Sequence, residues 1–202
     1  MAPLSQAKIL GEIGSILVVL TAIPRVGSLL GIAGFILILI AVKEISDHVA
    51  DGSIFNNMLI SVGAAIVGIA VAAILLIGSV ATFFINSGIT FPNPDFTSIP
   101  AGQWVGLIVP ILGALAVVWV ALIISAVFVR RSYSSIASKL GVDMFRTAGL
   151  VYLIGAATSI VFVGFFIIFV AQVLLIVAFF SIPENTAEQV PTPPSPPVTA
   201  ST

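Results

Sequence analysis

The chain contains no cysteine and only one histidine, and charged side chains make up 7% of its 202 residues. Each shortage closes a class of function. Without cysteine there are no disulfides, no iron–sulfur ligation, no zinc–thiolate centre and no thiol nucleophile. A single histidine cannot supply bis-histidine haem ligation within one chain. A soluble domain carries roughly 25% charged residues. This chain has too few to clothe a water-facing globule, so its solvent is expected to be lipid. The net charge of −1 offers no electrostatic footprint for nucleic acid. No Asn-x-Ser/Thr sequon occurs. The N-terminus carries only Lys8 before its apolar run and reads as a first span rather than a removed signal peptide.

What is abundant is apolar side chain, 59% of the residues, with a mean hydropathy of +1.27. These residues fall into six runs, about 9–23, 27–42, 54–85, 104–129, 147–162 and 164–182. The expected fold is an all-α polytopic membrane protein. Its six transmembrane helices form three helical hairpins joined by two cytoplasmic amphipathic elbows, in one transmembrane domain over 1–182. Residues 183–202 hold half of the 12 prolines and read as a disordered, partly polyproline II tail.

The organising stretch is Ile9 to Val42. Ile23-Pro24 should end its first helix, because a residue before proline is pushed out of the helical region. Gly27 supplies the turn. If the pair dipped in and returned, Arg25 would lie near mid-bilayer, at about 2.5–3.5 kcal/mol on the insertion scale. Two crossings bring Arg25 to the far interface instead, so two crossings are favoured. Residues 149–182 resemble a degraded copy: Gly155 corresponds to Gly14, Gly164 to Gly27, and Leu174–Ala178 to Leu37–Ala41.

The elbows, 43–53 and 130–146, share a second repeat. Val42, Ile45 and Val49 recur 91 residues later as Tyr133, Ile136 and Leu140, a helical stripe in each case. The first elbow carries Lys43 against three acids. The second carries four basic residues against Asp143. Opposite charge lets the two elbows attract each other, and anionic headgroups are the competing partner for the basic one. Basic residues also set orientation. With both termini inside, Lys8, Lys43, Arg130, Arg131, Lys139 and Arg146 are cytoplasmic and only Arg25 is outside. The expected location is the cell membrane, multi-pass.

Several of these residues form patterns shared with one family: Leu10-Gly-x-Ile-Gly, Ile23-Pro-x-Val-Gly, and Gly31-Ile-x-Gly-Phe-Ile-Leu-x-Leu-Ile-Ala. Near the end come Phe145-x-Thr-Ala-Gly-Leu, Leu153-Ile-Gly, Val163-Gly-Phe and Ala178-Phe-Phe-Ser-Ile-Pro-Glu. Over about residues 6–184 the chain resembles the mainly archaeal membrane proteins grouped as domain of unknown function 996. The resemblance implies a multi-spanning membrane protein and carries no activity, cofactor or catalytic residue.

Candidate chemistry is thin. Glu44, Asp47, His48 and Asp51 form i,i+4 pairs on one helix face and have the donor types for a divalent cation. Against this stands the plainer reading, the solvated face of an amphipathic helix. Glu12 lies one turn inside the first span, where an acid is a functional candidate. It is also placed to pair with Lys8. Gln172 is the amide deepest in an apolar run, suited to bonding a neighbouring helix or a ligand. Gly27, Gly31, Gly34, Gly155 and Gly164 form smooth strips for helix packing. No phosphate-binding loop, HExxH or Gly-x-Ser-x-Gly appears. No catalytic residue, cofactor or metal site is assigned, and an enzyme is not expected. The expected role is a structural, assembly or accessory subunit of a membrane complex. Its partners would be the lipid bilayer and a membrane protein or second copy seated on the glycine faces. The alternative is a channel or transporter for a small solute.

Overall fold

Proline, glycine and three non-glycine residues of positive φ decide where the helices stop. The computed structural model describes residues 4–87 and 99–183. The proline-rich tail beyond Pro183 and most of the 86–103 loop lie outside that range. Six α-helices follow in order: α1 (Leu4–Val19), α2 (Gly27–His48), α3 (Gly52–Ser87), α4 (Ala101–Leu140), α5 (Asp143–Thr158) and α6 (Val163–Phe180). No strand occurs among the described residues. Five of the six are long and apolar enough to cross a membrane. The 16-residue α1 falls short of that length by itself.

After α1 the chain tightens into a 3₁₀ turn, Leu20–Ala22, and Ile23 is extended at φ −79°, ψ 119°. That is the effect expected of a residue preceding proline. Arg25 then takes φ 73° and α2 begins at Gly27. The copy behaves alike. α5 ends in a 3₁₀ turn, Ser159–Val161, Phe162 takes φ 59°, and Gly164 lies in the first turn of α6. Arg25 and Phe162 are 137 residues apart, as are Gly27 and Gly164, so the sequence repeat is also a repeat of backbone.

The two elbows are not separate elements, which corrects the sequence reading. α2 runs through Lys43 and Glu44 to His48, and α4 runs unbroken through Arg130 to Leu140. A change from apolar to charged residues alters which solvent a helix faces but breaks no hydrogen bond of its ladder. The breaks come later, at matching joints. Ala50 (φ 52°) closes α2 and Gly141 (φ 69°) closes α4, again 91 residues apart. At the first joint Asp51 N–H donates to the Ser46 carbonyl at 3.0 Å and Ala50 N–H to that of Asp47 at 3.4 Å. This is the Schellman pattern, with alanine in the position usually taken by glycine.

Each helix packs on the next and α6 packs on α1, so the six close a ring. The core gathers at one end of it. Val42 and Ile45 of α2, Ile54 of α3, Ile136 of α4, Phe145 of α5 and Phe179 of α6 are all buried there. Both amphipathic stripes thus face the bundle, with Val49 and Leu140 at the edge of the core. At the opposite end Ile85, Phe162 and Phe166 are about four-fifths exposed, at 81%, 78% and 77%. Apolar surface left bare in this way needs a non-aqueous surrounding.

Candidate functional site

The polar side chains that enter the apolar body do three different jobs. Some tie helices together. Ser61 and Ser125 share a buried hydrogen bond at 2.9 Å between α3 and α4, and Ser132 donates to the Ile54 carbonyl at 2.9 Å. Trp119 of α4 donates from its indole N–H to the Ala157 carbonyl at 3.2 Å. That carbonyl sits at the end of α5, where the helix leaves acceptors without a partner of their own.

Others build the joint. Asp51 Oδ1 accepts from the Ser53 hydroxyl at 2.6 Å and the Ser53 amide at 3.1 Å, capping α3. The Ser53 hydroxyl, then the Ser53 amide, hold the Asp51 carboxyl below its ordinary range. Desolvation opposes this slightly, and Lys139 across the joint adds a smaller lowering. Lys139 and Ser132 therefore place the basic stretch of α4 beside the start of α3. Asp47 pairs with Lys43 of its own helix at 3.2 Å, and Arg146 with Asp143 at 4.0 Å. His48 is exposed at the end of α2. Glu44 is half-buried, and its Oε2 is enclosed without a hydrogen-bond partner. Among the described residues no three His, Cys, Asp or Glu side chains come together to hold a metal ion. Glu12 is half-buried on α1.

The third group meets at the axis of the ring. A chamber of about 60 Å³ takes a lining residue from every helix: Val18, Ile38, Met58, Tyr133, Tyr152 and Gln172. Its polar lining is Tyr133, Tyr152 and Gln172, and the protein has only these two tyrosines. Gln172 Oε1 is enclosed and has no hydrogen-bond partner. Sequence reasoning finds Gln172, because an amide in an apolar run stands out. It misses the tyrosines, since Tyr133 reads as a stripe residue and Tyr152 has no signature.

The packing glycines are consumed within the chain. A Cβ on Gly14 would lie 2.7 Å from the Gly34 carbonyl oxygen, and one on Gly155 would lie 3.0 Å from that of Gly164. Gly27 and Gly31 press on Thr21. A Cβ at any of these positions would meet atoms of the same chain. Open glycines lie instead on α3 and α4, at Gly63, Gly78, Gly106 and Gly113.

A closed ring of apolar helices with bare hydrophobic flanks, five of them long and apolar enough to cross a membrane, has the build of a helical membrane protein. The chain belongs to the family described as "protein of unknown function (DUF996)", whose model matches residues 30–173. It is 35% identical over 182 residues to an uncharacterised protein of the archaeon Methanocaldococcus jannaschii, covering 90% of this chain and 94% of that one. No solved structure matches.

Proposed function

We propose that this protein is a non-enzymatic component of a cell-membrane assembly, with six crossings and both termini cytoplasmic, and that α3 and α4 carry its contact with a partner. The observation behind this reading is a mismatch of hydrophobic length. The apolar run of α3, 54–85, is about 48 Å of helix, whereas that of its neighbour α2, 27–42, is about 24 Å. A hydrocarbon core is about 30 Å thick. The α3–α4 pair therefore outruns the rest of the ring by several turns of bare apolar surface. Tilt absorbs part of such an excess, and a partner helix covers the remainder. An open groove of about 800 Å³ runs along this pair, with Gly63, Ala64, Ala116 and Ala121 in its walls. Small residues let a second backbone approach closely.

The test is photo-crosslinking in native membranes from Val67 and Val120, which line the groove and are 62% and 49% exposed. Discrete protein adducts from both positions, and none from Leu29 on α2, are expected. Adducts with lipid alone would overturn the proposal. Transport of a small solute is the second reading, favoured by the chamber that Tyr133, Tyr152 and Gln172 line between the helices.

A further inference from the structure

Gln172 sits near the middle of α6 and Tyr152 near the middle of α5. At that depth a polar group finds no water unless the protein encloses some. A buried acceptor left without a donor costs about 1–3 kcal/mol, and native interiors rarely leave one so. Gln172 Oε1 is such an acceptor, on a side chain that lines a small space between the six helices. The space is about 60 Å³, room for one to a few waters. No lining residue carries a charge, so an ion entering it would lose its hydration with nothing to replace it. The two phenols can donate and accept, and Gln172 adds one of each. An occupant must therefore be small and uncharged, with a hydrogen to donate.

We propose that this chamber is a binding site for a small uncharged hydrogen-bonding molecule, water or a solute of a few non-hydrogen atoms, held by Gln172, Tyr133 and Tyr152. The inference does not depend on the assembly role, because the site lies inside the ring and the proposed partner face outside it. An apolar occupant is disfavoured, since it would leave Gln172 Oε1 unpaired.

Because the protein has only these two tyrosines, tyrosine labelling reports on the chamber alone. The full chain, labelled with ¹³C at tyrosine Cζ and placed in phospholipid nanodiscs, should give two resonances. They are assigned with Tyr133→Phe and Tyr152→Phe. Titration with formamide should move both saturably, xenon should move neither, and Gln172→Met should weaken the formamide response about tenfold. If the site keeps tightly held water, formamide will have no effect, but both phenol rings will show cross-relaxation from a long-lived bound water. That outcome also supports the site and assigns water to it. Movement with xenon alone, or neither a formamide response nor bound-water cross-relaxation, would show a dry void and overturn the proposal. Should Gln172→Met fail to fold, the Tyr133 resonance of Tyr152→Phe serves in its place, with the same weakening expected.

Discussion

Phe179 lies across Gly11, where a Cβ would clash with its ring. The ring is also fixed edge-on to Phe145, with centroids 5.1 Å apart, and both phenylalanines are fully buried. It therefore has little freedom to yield. Gly11→Ala should destabilise the protein by about 1–3 kcal/mol, the usual cost of overpacking a filled core. Unfolding in mixed micelles measures this, and Gly11→Ala combined with Phe179→Leu should recover part of the loss. Asp51 gives a second prediction at this scale. Its carboxyl is held low, so its contribution is present above the ordinary value of 3.8 and lost as pH falls through the lowered one. Protection of the Ser53 amide from hydrogen exchange should stay constant from neutral pH down to the ordinary value and decline only below it. Asp51→Ala should remove that protection at every pH, and Asp51→Asn should retain most of it.

The two joints show what a helix ending requires. Ala50 and Gly141 both take positive φ at joints 91 residues apart, yet only glycine adopts that conformation without a steric cost. Gly141→Ala should destabilise by about 1 kcal/mol and Ala50→Gly should stabilise by a similar amount. Equal and opposite shifts in a denaturation midpoint would show that the repeat extends to energetics. Parts of this organisation are legible in the sequence. The Ile23-Pro24 break and the glycine of each tight turn can be read directly, because proline and glycine act on the backbone locally. Where α2 ends cannot be read in this way. The charged stretch after Val42 looks like a new element, but the helix continues to His48. The alanine that ends it has no turn signature. The glycine strips are visible as strips, but nothing in their spacing says that Gly14 would meet Gly34 of the same chain. The chamber is legible only through Gln172, since its other polar walls come from α4 and α5 and meet only when the ring closes.

At the scale of the whole molecule, the ring has a packed end and a bare end. The packed end collects the joints and most of the basic residues, while the bare end carries Arg25 beside exposed aliphatic and aromatic side chains. In the arrangement proposed above, the packed end lies at the cytoplasmic face and the turns at Arg25 and Phe162 at the opposite interface, with all six helices crossing. The most direct test uses the absence of native cysteine, which makes any introduced one unique. Arg25→Cys, Phe162→Cys, His48→Cys and Lys139→Cys, each in intact cells, are treated with a membrane-impermeant thiol reagent. The account predicts labelling of the first two without permeabilisation and of the last two only after it. Arg25→Cys that stays unlabelled from outside, or that labels only with His48→Cys, would contradict the six-crossing arrangement.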